Sequence, residues 1–301
     1  AYSHLRPADH DRAAPPNQAH PMPFPARPCR TALLLALGLS VVGASAQSAP
    51  SGGSLPGVTI SGKATPDPVE KSYRRMLRGM DLFERLRPEL APQATLRYKL
   101  LPRKRDVSLN GLELFVLGNT VEMPVPVAPD FTFALERNPK AAQENAVVTP
   151  DRKALTMTWR AEIRTPGLPP GTRRLGDLRL ECRVGMEAGL FSNSPSWITS
   201  IFSAIDNTPG YCDRTDNQYL FFADRPVFGV TLVSGARREA VPAHRLWAGA
   251  IDDPRLFREG LRYCDCEVLV DRTYYLPLAD ASWPHDTLVV FEYMEGGDAT
   301  R

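Results

Sequence analysis

LTMTWRAEI, residues 155–163, and LRLECRV, residues 178–184, decide the fold class. In the first stretch Leu155, Met157, Trp159, Ala161 and Ile163 alternate with Thr156, Thr158, Arg160 and Glu162. In the second, Leu178, Leu180, Cys182 and Val184 alternate with Arg179, Glu181 and Arg183. Strict period two over this length predicts antiparallel strands, each with one face on a core and the other in water. The Pro- and Gly-rich loop 164–176 joins them.

The same signal recurs outward from this pair. Leu96, Tyr98 and Leu100 alternate with Thr95, Arg97 and Lys99. Leu112, Leu114 and Val116 follow an Asn110-Gly111 turn. Further short strands are expected at 121–127, 131–135, 219–222, 226–233, 264–278 and 287–293. One helix precedes them all. Asp67 suits an N-cap, Pro68 the first helical position and Glu70 a capping box, and Pro88 is expected to stop the helix. Val69, Tyr73, Met76, Met80 and Phe83 form its apolar stripe. Short accessory helices are expected at 194–205, carrying Trp197, Ile201 and Ile205, and at 253–257.

The fold class that follows is mainly β: antiparallel, sandwich-like, with an N-terminal amphipathic helix and short accessory helices. The expected organisation is an extension of non-native character over 1–21, a signal peptide over 22–46 and a flexible leader over 47–66. The helix then takes 67–88, an antiparallel β domain 93–185 and a second β-rich domain 186–301. The segment Asn119–Leu135 resembles the strand–turn–strand of transthyretin-like and carboxypeptidase-regulatory sandwiches, a resemblance that implies a sandwich fold and nothing about activity.

The export signal has three parts. Arg27 and Arg30 are basic, 32–43 is apolar, and Ala44-Ser45-Ala46 is the small-x-small pattern at which signal peptidase cuts. The apolar run is shorter than the roughly 20 residues a membrane span needs. Cleavage after Ala46 leaves 255 residues from Gln47, with 32 basic and 32 acidic side chains. That balance gives no overall field toward nucleic acid or anionic lipid. No later segment is apolar enough to span a membrane. The chain is therefore expected in the periplasm or outside the cell.

Four of the five cysteines, Cys182, Cys212, Cys264 and Cys266, follow the cut, and an exported compartment permits disulfides. Two same-face residues of one strand stand about 6.6 Å apart, too far for the Cβ separation of about 3.5–4.5 Å that a disulfide needs. Cys264 and Cys266 are thus expected to pair elsewhere, with Cys212 bonding one of them and Cys182 available to the other.

No motif sets a nucleophile beside a base. Gly-x-Ser-x-Gly and His-Glu-x-x-His do not occur, and after the cut only His244 and His285 remain. The oxygen-rich run from Asp206 to Asn217 lacks the spacing of a calcium loop. No catalytic residue, metal or cofactor is assigned. The most suggestive feature is basic. Lys71, Arg74, Arg75 and Arg78 fall opposite the apolar stripe, and Arg103-Lys104-Arg105 follows one strand later, a candidate surface for an anionic partner. Trp247 and Trp283 are candidates for stacking on sugar. The function expected is a soluble, exported binding or structural module that meets an envelope protein or polysaccharide. The alternative is a glycan-directed hydrolase using loop carboxylates, among them Asp213, Asp216, Asp271, Asp280 and Asp286, with His244 or His285.

Overall fold

Ser72 ends a two-residue strand, β1 (Lys71–Ser72), and its hydroxyl accepts from the Arg75 amide to cap the helix that follows, α1 (Tyr73–Leu90). The cap is Ser72 rather than Asp67, so the helix starts later than its capping signals suggest. Pro88 lies in the last turn. There it forfeits one hydrogen bond without ending the helix, which runs on to Leu90. Tyr73, Met76, Leu82 and Phe83 form the buried stripe.

The computed structural model describes residues 69–103, 107–154, 156–190, 208–247 and 269–295, all within one unit spanning Pro56–Arg301. The signal peptide, the leader, the helices expected at 194–205 and 253–257, Cys264, Cys266, Lys104 and Arg105 lie outside these residues.

Past α1 the chain is mainly strands, and every pairing is antiparallel. The strands are β2 (Thr95–Pro102), β3 (Leu114–Leu117), β4 (Glu122–Pro124) and β5 (Thr132–Phe133). After a short helix, α2 (Pro139–Gln143), come β6 (Val147–Pro150), β7 (Met157–Arg164) and β8 (Thr172–Arg174). A second long helix, α3 (Leu175–Glu187), leads to β9 (Phe221–Phe222), β10 (Val227–Ser234), β11 (Arg237–Ala240), β12 (Thr273–Tyr274) and β13 (Leu288–Tyr293). They form sheets in the orders β1-β6-β3-β4, β5-β2-β7, β11-β10-β13-β8 and β12-β9. Within Asn119–Leu135, β4 pairs with β3 and β5 with β2, so the two strands of that segment join different sheets.

The alternation read at 95–100 and 157–163 is realised. β2 and β7 pair over eight residues, with Tyr98, Leu100, Trp159, Ala161 and Ile163 turned into a first core beneath α1. A second core gathers Tyr219, Phe221, Tyr274, Trp283 and Phe291.

The strand expected over 178–184 is instead the middle of α3. Arg179 and Glu181, which alternation assigns to water, are only 5% and 6% exposed. Their charges are met inside the protein. Arg179 donates to the carbonyls of Leu278, Trp283 and Asp280, and Glu181 accepts from Arg173. A helix buried all round carries no amphipathic stripe. Leu180 and Val184 face the first core, while Leu175, Leu178, Cys182 and Met186 face the second. The boundary expected at 185–186 thus falls near the end of a helix that both cores share. Helix α1 crosses α3 closely at Gly79, where a Cβ would stand 2.9 Å from that of Ala188.

The helix also decides the disulfide. Cys182 projects toward the 3-10 turn Pro209–Asp213 and bonds to Cys212, with Cα atoms 6.0 Å apart. This corrects the pairing of Cys212 with Cys264 or Cys266, which assumed Cys182 on a strand. The bridge spans 30 residues, and closing a loop of that length restricts the unfolded chain by about 3–4 kcal/mol. A Cys182→Ser/Cys212→Ser variant is expected to lose about that much in urea unfolding. A non-reduced peptide map should contain the Cys182–Cys212 cross-link; free thiols at both positions would contradict it.

Candidate ligand-binding cleft

One face of the β2–β7 pair fills the first core, and the other carries Thr95, Arg97, Lys99, Arg160, Glu162 and Arg164. The second face is partly covered: Arg160 is buried, Arg97, Lys99, Glu162 and Arg164 are half-buried, and Thr95 is exposed. Leu220, Phe222 and Ala223 around β9 and Leu269, Asp271 and Arg272 stand across from it, enclosing a cleft of about 1070 Å³. Arg173 and Glu181 also line it, and the turn Pro129–Thr132 forms part of the mouth.

The register makes the charge of this face unusual. Arg97 stands opposite Glu162, an ordinary cross-strand pair, but Lys99 stands directly opposite Arg160. Like charges in that position oppose strand pairing. Most of the other cations are occupied. Arg97 donates to the Thr132 hydroxyl and carbonyl, and Lys99 to the Asp130 carbonyl. Arg164 meets Glu162 at 2.8 Å and Asp224 at 2.5 Å, and Arg272 donates to the Asp224 carbonyl. Burial pushes the Arg164 guanidinium toward losing its proton, but the two carboxylates more than offset this and hold it charged.

Arg173 and Glu181 form a buried ion pair at 2.5 Å. Burial pushes the Glu181 carboxyl up against the pull of Arg173. Burial also disfavours the Arg173 charge, but the Glu181 charge overcomes it and raises the guanidinium. With the Ile163 amide also donating to Glu181, the contact geometry favours the ionised pair.

Arg160 differs from the rest. It is 4% exposed and lines the cleft, yet its Nε and Nη1 have no acceptor, and no carboxylate among the described residues pairs with it. The guanidinium lies 5.2 Å from the ring centre of Phe222 and 5.9 Å from that of Tyr219. Such cation–π contacts return part of the desolvation cost, about 0.5–2 kcal/mol each. Burial pushes the Tyr219 phenol up to about 12, with the Arg160 charge and a hydrogen bond from Arg160 pulling the other way. A buried cation in the wall of a large cleft, with no carboxylate to neutralise it, attracts an anion.

The residues singled out from the sequence lie elsewhere. Lys71 precedes α1 and is buried in β1. Arg74 donates to the Ala142 carbonyl, Arg75 reaches the Met186 carbonyl at 3.5 Å, and Arg78 pairs with Glu187 at 2.8 Å. The basic stripe thus joins α1 to α2 and to the end of α3. Trp283 is buried under the Arg237 guanidinium, and Trp247 is half-buried with its Nε1 on the Val227 carbonyl. Asp213 pairs with Arg183, Asp216 with Arg214, and Asp280 accepts from Ser282. Among the described residues no three His, Cys, Asp or Glu side chains come together as metal ligands. Among the described residues, Asp271 alone of the loop carboxylates named for catalysis lines the cleft, and neither His244 nor His285 does. The residues that do, Arg97, Lys99, Arg160 and Arg164 against Glu162, were present in the sequence as four cations and one acid on the polar phase of two strands.

His285 has a structural task. Its Nδ1 accepts from Arg179 Nη1 at 2.9 Å, since a guanidinium only donates, which places the ring proton on Nε2. Burial and the Arg179 charge push the imidazole below its ordinary 6.5. The unfolded chain therefore takes up this proton first as pH falls, and folded stability declines from the ordinary imidazole value down to the lowered one. Urea unfolding between about pH 7.5 and 5.5 should show this decline in the wild type and a smaller one in His285→Gln; equal declines would remove His285 from the account. Comparison of the chain with protein-family models, with curated proteins and with solved structures finds no match in any of the three.

Proposed function

We propose that the chain is an exported, non-catalytic binding module of the cell envelope and that it holds an anionic ligand in the β2–β7 cleft. The single observation that carries the reading is Arg160, a buried guanidinium in the wall of the cleft that no carboxylate among the described residues neutralises. An ionised group deprived of water is costly unless it is paired. Lys99, directly opposite, adds a second positive charge. The mixture of cations with polar and apolar lining fits recognition. An acid–base pair converging with a nucleophile, which hydrolysis needs, is not supported by the positions of His244 and His285. Export is supported by the Met22–Ala46 pattern and by a buried disulfide of the kind that persists in oxidising compartments.

Two experiments test the two halves of this reading. For binding, the processed chain is titrated calorimetrically with tripolyphosphate and with an oligomer of galacturonic acid, at low and high salt. At least one is expected to bind, more weakly as salt rises. Arg160→Met should weaken it by about tenfold or more, the equivalent of about 1.5–3 kcal/mol for a lost charged hydrogen bond. A folded Arg160→Met chain that binds as the wild type does, or a wild type that binds neither anion, overturns the proposal. For export, N-terminal sequencing of the protein recovered from the envelope fraction should begin at Gln47; uncut chain confined to the cytosol would refute it.

A further inference from the structure

Resting on the reading of the cleft as an anion site, we infer that its ligand is an acidic sugar chain, a linear oligosaccharide of uronic-acid type. Three features of the cleft select this class over a densely charged anion.

The first is size. At about 1070 Å³ the cleft matches or exceeds the roughly 300–1,000 Å³ of pockets that enclose one small molecule. It also runs beside an eight-residue ladder, so an extended ligand fits it better than an isolated phosphate or carboxylate.

The second is the alternation of charge. Arg97, Lys99, Arg160, Arg164, Arg173 and Arg272 line the same space as Asp130, Glu162, Glu181, Asp224 and Asp271. A polyphosphate or nucleic-acid backbone brings negative charge at every step, while the cleft interleaves cations with carboxylates, three of them held in ion pairs by Arg164 and Arg173. A uronic-acid chain brings one carboxylate per sugar and hydroxyls between them. Its carboxylate can neutralise the Arg160 charge, and its hydroxyls donate to the carboxylates.

The third is the pair of aromatic rings. Phe222 and Phe131, both half-buried, line the cleft. Phe222 is held at its place in β9 by pairing with Thr273 in β12. Phe131 adopts φ of 60°, a left-handed conformation costing a bulky L-residue about 1–2 kcal/mol. Two hydrogen bonds fix it there: its amide donates to the Ala128 carbonyl at 2.8 Å, and its carbonyl accepts from the Leu100 amide at 2.9 Å. One side of Phe131 packs on the first core, and the side chain also borders the cleft. Apolar rings beside charged groups suit a pyranose, which has an apolar C–H face and a polar edge; a bare polyphosphate has no such face.

The test compares three probes on the processed chain by calorimetry: tetragalacturonate, the uncharged galactose tetramer and tripolyphosphate. Tetragalacturonate is expected to bind at least about tenfold more tightly than either of the others. Phe222→Leu, which leaves every cleft charge in place, should weaken tetragalacturonate by about tenfold and tripolyphosphate by no more than about threefold, the part owed to the lost cation–π contact with Arg160. Arg160→Gln should weaken both anions. Tripolyphosphate binding as tightly as the acidic sugar would refute the sugar while leaving the anion site standing. Binding of neither anion would remove both readings. Equal binding of the charged and uncharged sugars would leave a glycan site without the anion reading, and an unchanged Phe222→Leu would end the stacking argument.

Discussion

The guanidinium of Arg173 and the carboxylate of Glu181 meet at 2.5 Å where neither is more than a tenth exposed, and three parts of the fold meet with them. Arg173 belongs to β8, whose backbone pairs with β13 in the C-terminal sheet. It also donates to the Ile163 carbonyl on β7, and Glu181 on α3 accepts from the Ile163 amide. Two sheets and the central helix are therefore registered at one residue of β7. A buried ion pair contributes little net stability over a well-packed apolar substitute, but removing one partner strands a charge at about 3–5 kcal/mol. Its contribution is to position: α3 cannot rotate or slide without leaving Glu181 unpaired. Asp177 repeats the device one turn earlier, accepting from the Thr165 amide and hydroxyl at 2.8 Å each. Gly176 completes it, because a Cβ there would overlap the Leu90 carbonyl oxygen at the end of α1.

These same contacts explain why part of the sequence misleads. At 95–102 and 157–164 the apolar phase of the alternation really does fill the first core, so the strands, their partner face and the burial of Trp159 are all legible. At 178–184 the alternation is equally regular, but its polar members are buried and matched by groups distant in sequence. Arg179 finds its acceptors about a hundred residues later, and nothing local announces them. A weaker signal did exist. Leu, Arg and Glu favour helices, and the stretch holds a single β-branched residue, Val184. The short strands β6, β8 and β11 escape for a different reason. Four residues or fewer carry no period, and only pairing to a longer neighbour makes them strands.

The cleft was hidden by a limit of the same kind. Alternation tells which face a side chain takes but not what stands across from that face. Arg97, Lys99, Arg160 and Glu162 were assigned to the polar side of their strands, and they are there. What the sequence conceals is that the segment around β9 and residues 269–272 cover that side. The juxtaposition of Lys99 with Arg160 depends on register, which becomes visible only when both strands are paired. The basic stripe on α1 was conspicuous because its residues are close in sequence, yet Arg74, Arg75 and Arg78 bond to neighbouring parts of the fold. Proximity in sequence made the less consequential cluster the louder one.

Arg160 also gives the cleft its physical character. Its position is set by Tyr219 and Phe222, and Tyr219 is part of a longer aromatic series. Tyr219 leans on Phe221 with centres 4.9 Å apart, Phe221 stacks on Tyr274 at 5.4 Å, and Tyr274 meets Phe291 at 5.1 Å. Phe291 stands on β13, the strand that pairs with β8 and so leads back to Arg173. The cation is thus held by packed rings rather than by a flexible partner, and a ligand need not organise it on arrival. Preorganisation of this kind lowers the entropic cost of binding. It also sharpens discrimination, since a guanidinium whose charge is fixed in place favours an anion over a neutral group of the same size.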